Sequence, residues 1–108
     1  MALWAAELAA EKKAEDLALL EVGQLSIIAD YFLIATGATG IRVRTISDHL
    51  LAKLKERGLA PLRVEGYREG WWVVLDFGDL VVHLFQPEAR ELYRLERLWG
   101  RAPAVTLS

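Results

Sequence analysis

Two apolar runs on either side of a glycine-containing turn constrain the fold of this chain more than any other feature. The first run covers residues 71–76, the second covers residues 79–85, and Phe77 and Gly78 separate them. Apolar runs that flank a two-residue turn with glycine are typical of a β-hairpin, because glycine readily adopts the backbone angles that tight turns need. The sequence therefore predicts two adjacent antiparallel strands in this segment.

The register of this hairpin predicts which side chains share a face. With Phe77 and Gly78 as the turn, one face carries three directly opposed pairs. These pairs are Trp72 with His83, Val74 with Val81, and Asp76 with Asp79. The opposite face is wholly apolar, with side chains from Trp71, Val73, Leu75, Leu80, Val82 and Leu84. We therefore expect the apolar face to lie against the core.

The mixed face has two interpretations, and the pattern alone leaves both open. A tryptophan and two valines bordered by carboxylates are typical of a protein–protein interface, where aromatic anchors are surrounded by polar groups. Alternatively, helices cover this face as well, and Trp72 is an ordinary core residue, because sheets in α/β proteins are often buried on both sides. The carboxylates at the turn favour partial exposure at that end.

The rest of the chain reads as alternating helices and strands. Alanine, glutamate and lysine predict an N-terminal helix over about residues 2–15. A second helix over residues 41–57 has an apolar stripe, and Gly58 ends it. The stripe consists of Val43, Ile46, Leu50 and Leu54. A third helix is predicted over residues 88–99, followed by a tail, residues 100–108, that we expect to fray.

Further strands are predicted over residues 16–22, 31–35 and 62–65. The order is thus helix, two strands, helix, three strands, helix. This order predicts an α/β sandwich of two or three layers, in which helices flank a mixed five-stranded sheet. A length of 108 residues suits a single domain over residues 1–108.

Composition argues against several classes of function. The formal net charge is −2, whereas a general nucleic-acid binder usually carries a basic surplus, so we expect no binding to DNA. The chain contains no cysteine, and its two histidines, His49 and His83, lie far apart in sequence, so we expect no metal and no cofactor. Charges interrupt every apolar run, and the acidic N-terminal segment is unlike a signal peptide. We therefore expect a cytoplasmic protein without a membrane partner.

Two further functions have to be weighed. Asp76 and Asp79 could hold magnesium for nucleotidyl transfer, but the segment from Thr36 to Gly40 lacks the lysine of a phosphate-binding loop. The two aspartates could equally cap the turn. A lone histidine such as His83 is more often a hydrogen-bonded structural residue than a catalyst. A small RNA-binding domain is the other alternative, and the acidic balance argues against it.

Four segments resemble one known family. Residues 30–37 (DYFLIATG) resemble its DYFVIATG signature, and residues 64–66 match its VEG element. Residues 72–83 (WVVLDFGDLVVH) resemble its WVLLDYGDVVVHVF hairpin, and residues 93–100 (YRLERLWG) resemble its C-terminal YYDLERLWGDAP. Together the resemblance spans about residues 12–104. The family is that of the ribosomal silencing factors, which are related to the plant protein Iojap.

This resemblance implies a fold and a function. The fold is similar in topology to nucleotidyltransferases but lacks their catalytic motif, so no enzyme activity is expected. The family binds the large ribosomal subunit through its protein numbered fourteen, blocks joining of the small subunit and represses translation when nutrients are short. Its members are commonly homodimers when free. The resemblance favours the interface interpretation, with Trp72, Val74, Asp76, Asp79, Val81 and His83 as partner-binding residues.

Overall fold

The computed structural model describes residues 1–27 and 29–107, and a mixed six-stranded sheet runs through them. The strands are β1 (Glu15–Glu21), β2 (Tyr31–Thr36), β3 (Arg63–Glu65), β4 (Trp72–Asp76), β5 (Leu80–Phe85) and β6 (Ala104–Val105). Their order across the sheet is β3-β4-β5-β2-β1-β6. Strands β2 and β5 run parallel, and the other neighbouring pairs are antiparallel. The predicted mixed α/β sheet is confirmed, with one strand more than expected.

The additional strand comes from the segment that we expected to fray. Ala104 lies opposite Leu20 and Val105 lies opposite Leu19, so β6 extends the sheet beyond β1. The amide of Glu21 also donates a hydrogen bond to the carbonyl of Pro103, at 2.9 Å. Two residues are too few for an alternating pattern to be recognised in sequence, whereas pairing with an existing strand supplies their hydrogen bonds.

The helices are α1 (Ala2–Glu11), α2 (Gly40–Glu56), α3 (Pro87–Tyr93) and α4 (Leu95–Leu98). Helix α1 is shorter than predicted, because Lys13 takes a left-handed backbone conformation (φ 64°). The single helix predicted for residues 88–99 is also wrong. Arg94 adopts φ 45° and separates α3 from α4, so the chain changes direction there.

Helices α1 and α2 pack on one face of the sheet. The predicted stripe of α2 is confirmed, since Val43, Ile46, Leu50 and Leu54 are fully buried. They join a core with five side chains of the hairpin, namely Val73, Leu75, Leu80, Val82 and Leu84. Trp71 was predicted on this face but precedes β4 and packs against the other face of the sheet.

The N-cap of α2 gives a first prediction. The side-chain oxygen of Thr39 accepts a hydrogen bond from the amide of Arg42 at 3.1 Å. Replacing Thr39 with alanine should lower the free energy of unfolding by about 1 kcal/mol, because the amide loses its partner. Thr45→Ala is the matched control, since the Thr45 hydroxyl only donates back to the Ile41 carbonyl within the helix. Equal denaturant midpoints for the two variants would contradict the assigned cap.

The opposite face of the sheet is covered by the C-terminal segment. Ala89 of α3 and Ala102 are buried there, and Leu95 and Trp99 pack against the same cluster. Helices thus lie on both faces, which makes three layers. Arg90 ties this segment to the sheet: its guanidinium pairs with both oxygens of Glu96 and donates to the Thr36 hydroxyl at 2.8 Å.

The hairpin forms as predicted, but its register differs by two residues. The Phe77 amide donates to the Leu80 carbonyl at 2.9 Å, so Gly78 and Asp79 form the turn. Gly78 has φ +90°, and a tight turn of this kind needs a positive φ at its first central position. Glycine therefore decides where the turn begins, which leaves Phe77 as the last residue before it.

The corrected register pairs Trp72 with Phe85, Val74 with His83, and Asp76 with Val81. Asp76 and Asp79 are therefore not directly opposed, and the predicted pairs on this face are wrong. A shift of two residues nevertheless keeps each side chain on its face, because side chains alternate with a period of two. The strand residues predicted on the mixed face thus remain there and Phe85 joins them, whereas Asp79 becomes a turn residue.

Candidate functional site

The six residues predicted to bind a partner fall into three environments. Trp72, Val74 and Asp76 lie on β4 and are half-buried. Val81 and His83 lie beside them on β5, but each is only 7% exposed. Asp79 is exposed in the turn. The difference between the strands arises because the C-terminal segment packs over the β5 and β2 side and leaves the β4 side open.

Aromatic rings run across this face. The ring of Trp72 stacks on Phe85 with centroids 5.0 Å apart and contacts Tyr93 of α3 at 4.6 Å. Further from the edge, Phe32 meets His83 at 5.0 Å and Trp99 at 5.1 Å, both edge to face. Trp72 is therefore the half-exposed end of a buried aromatic cluster. Neither Phe85 nor Tyr93 was predicted as part of the site, although Tyr93 lies in the C-terminal motif.

Polar groups of the edge strand border Trp72 and Val74. Arg63 pairs with Asp76 and Glu65 pairs with Val74 across the β3–β4 ladder, so these side chains point to the same side of the sheet. Both Arg63 and Glu65 are largely exposed, at 66% and 62% of their side chains. We define the open face as the side chains of Arg63, Glu65, Trp72, Val74, Asp76 and Tyr93.

The carboxylate of Asp76 is engaged within the hairpin. Its Oδ1 accepts a hydrogen bond from the Gly78 amide at 2.9 Å, and its Oδ2 lies 3.4 Å from a guanidinium nitrogen of Arg63. Across residues 1–27 and 29–107, no group of three or more acidic or histidine side chains could hold a metal ion. Asp76 is thus placed as a cap of the turn, which is the alternative that the sequence left open for it.

His83 is hydrogen-bonded to the half-exposed tryptophan. The indole nitrogen of Trp72 donates to Nδ1 of His83 at 3.1 Å. Because Nδ1 accepts, the ring proton of a neutral imidazole lies on Nε2, which is buried and has no hydrogen-bond partner in the described part of the chain. Burial lowers the pKa of His83 from its usual 6.5 to about 4, and the Asp76 carboxylate raises it by less. His83 is therefore neutral at pH 7.

The loop before α2 positions that helix. From the sequence, the segment from Thr36 to Gly40 was considered as a phosphate-binding loop, but it contains no lysine. Thr39 caps α2, and the buried Thr36 hydroxyl accepts from Arg90. The polar groups of this loop are thus used inside the fold, which favours helix entry.

Comparison with known proteins identifies the family. The family model described as "Ribosomal silencing factor during starvation" matches residues 1–108. The chain belongs to this family. A ribosomal silencing factor from Halalkalibacterium halodurans is 43% identical over 97 residues, which cover 90% of this chain and 83% of the relative. The resemblance noted from the four sequence segments is thereby confirmed.

A solved structure and a more distant relative extend this comparison. A crystal structure of a protein from Chromobacterium violaceum superimposes with a TM-score of 0.87 at 34% identity, covering 89% of this chain and 80% of that one. A mouse protein named "Mitochondrial assembly of ribosomal large subunit protein 1" is 33% identical over 92 residues, covering 82% of this chain and 40% of the relative. The fold is therefore that of the silencing factors.

Within residues 1–27 and 29–107, no helix has both the length and the apolar character needed to cross a membrane.

Proposed function

We propose that this chain binds the large ribosomal subunit through the ribosomal protein numbered fourteen and blocks joining of the small subunit. The observation that carries the proposal is the open face, where Trp72 and Val74 stay half-exposed beside the charged side chains of β3. A silencing factor has to hold a partner, and this surface has the aromatic anchor and polar border that protein interfaces use.

The named relatives support the choice of partner. The family description names the ribosome and starvation, and the mouse relative's name refers to the large ribosomal subunit. The choice of protein fourteen within that subunit rests on the family resemblance. A formal charge of −2 favours a protein over bare ribosomal RNA as the main contact, because phosphate binding needs cationic side chains.

The proposed mechanism is steric and needs no chemistry. A stable protein interface buries about 800 Å² on each partner, so the open face would form its centre and neighbouring residues its rim. A protein held at the subunit-joining surface prevents the small subunit from docking there. The extent of repression then depends on the affinity and on the concentration of the factor, and translation falls when the factor accumulates under nutrient limitation.

The same proposal includes the state of the free protein. We infer that the chain acts in the cytoplasm, as a single domain, and forms a homodimer when no ribosome is available. Sheet edges favour such self-association, because an edge strand has unpaired backbone groups, and β3 and β6 are the edges of this sheet.

Sedimentation with separated ribosomal subunits tests the proposal. The purified protein should travel with large subunits and not with small ones, and it should lower the peak of joined ribosomes in a reassociation assay. A large subunit depleted of protein fourteen is the matched control, and it should fail to bind. Binding to neither subunit, or equal binding to both, would overturn the proposal.

A further inference from the structure

We propose that His83 is a positioning residue for Trp72. It accepts a hydrogen bond from the indole N–H and fixes the orientation in which the ring contacts the partner. This inference deepens the proposed function and rests on it for the identity of the partner. His83 itself is too deeply buried to form a large contact with another protein, since it is 7% exposed. Its effect on binding therefore has to pass through Trp72.

The contacts around His83 hold its ring in place. It meets Phe32 edge to face at 5.0 Å, and it lies nearly parallel to Phe85, with centroids 6.3 Å apart and an angle of 12°. Because the ring is packed on these neighbours, Nδ1 is a fixed acceptor. The indole N–H reaches it at 3.1 Å across the hairpin. The hydrogen bond thus joins a rigid buried group to a half-exposed one.

The hydrogen bond adds a constraint on Trp72 that ring stacking does not, because stacking does not fix the direction of the indole N–H. One side of its ring stacks on Phe85, and Tyr93, which is 44% exposed, contacts it from α3. An indole without an acceptor at this place can turn its N–H towards water, since leaving a donor unpaired in a buried position is costly. The ring would then have to be reoriented on binding. Fixing it beforehand reduces that cost, which is the general benefit of preorganisation.

Loss of the His83 imidazole should affect the stability of the fold and the affinity for the partner differently. Nε2 of His83 carries a buried proton that has no partner among the described residues. A leucine at this position would remove that unpaired donor and keep an apolar side chain of moderate size, so it need not destabilise the fold. Stability and binding are therefore expected to respond differently to the loss of the imidazole, and the two can be measured separately.

The test compares two variants at pH 7. His83→Leu removes the acceptor, whereas His83→Asn keeps a side-chain oxygen near the position of Nδ1. We expect His83→Leu to bind large subunits about fivefold more weakly, and His83→Asn to remain within about twofold of the original protein. The indole N–H resonance of Trp72, assigned with a Trp72→Phe variant, should shift and exchange faster with solvent in His83→Leu only.

A double-mutant cycle separates positioning from a general change in the fold. In a Trp72→Phe background the indole N–H is absent, so adding His83→Leu should weaken binding no further. An equal fivefold loss in that background would overturn the inference, as would an unchanged Trp72 resonance in His83→Leu. If His83→Leu binds normally while Trp72→Ala binds weakly, the inference fails and the proposed function stands. If the original protein binds no large subunits, the proposed function fails and the inference falls with it.

Discussion

Replacement of Trp72 with alanine is expected to weaken binding to the large ribosomal subunit about thirtyfold, which corresponds to about 2 kcal/mol. The indole is the largest apolar side chain of the open face, and it stacks on a buried base formed by Phe85. Truncation removes this anchor and leaves a cavity beside Tyr93. A partner surface that is complementary to the indole ring cannot fill this cavity. Sedimentation at a series of subunit concentrations gives the two dissociation constants.

The matched control is a tryptophan on the other side of the sheet. Trp4 of α1 is half-buried, packs against the opposite core cluster and lies 4.6 Å below the guanidinium of Arg57. Trp4→Ala removes the same atoms and costs stability, but it should leave the affinity for the subunit within about twofold. If both variants lose affinity equally, the loss follows from general destabilisation, and Trp72 is not the anchor.

The sequence predicted those elements that have a repeated pattern or a turn signal. The stripe of α2 repeats over four buried positions, and the hairpin contains two apolar runs around a glycine. Strand β6 has two residues and depends on pairing with β1, so no local pattern indicates it. The break at Arg94 was missed because arginine has no intrinsic preference for φ 45°, so nothing in the sequence marks this position as the end of a helix.

For the candidate site, the sequence predicted only which side chains share one face of the hairpin, because side chains alternate between the two faces along a strand. Alternation assigned Trp72, Val74 and His83 to a common face even with the register wrong by two residues. It could not indicate that the C-terminal segment buries His83 and leaves Trp72 half-exposed, because that division depends on contacts with residues distant in sequence. The expectation that helices cover this face therefore holds for the half that contains His83, whereas the half that contains Trp72 stays open.

The buried histidine also makes stability depend on pH. Burial lowers the pKa of His83 to about 4 in the folded protein, whereas the unfolded chain titrates near 6.5. Between these values the unfolded chain binds a proton that the folded protein does not, so the free energy of unfolding should fall as the pH is lowered from about 6.5 to about 4. At about pH 4 this group should have lowered the free energy of unfolding by roughly 3 kcal/mol. At pH 7 it should have almost no effect on it.

Urea unfolding at intervals from pH 7 to pH 4 measures this dependence. Because acidification affects the whole protein, the relevant quantity is the difference between the original protein and His83→Leu or His83→Asn. Both variants lack the imidazole and should lose less stability on acidification, whatever their stability at pH 7.

An equal loss in all three proteins would mean that His83 is protonated in the folded state at mildly acid pH. Its Nδ1 could then not accept the indole N–H there, and the open face would change its geometry above pH 4. If the free energy of unfolding falls equally with pH in all three proteins, the imidazole is not neutral at mildly acid pH. The orientation of Trp72 is then not fixed by His83 under those conditions.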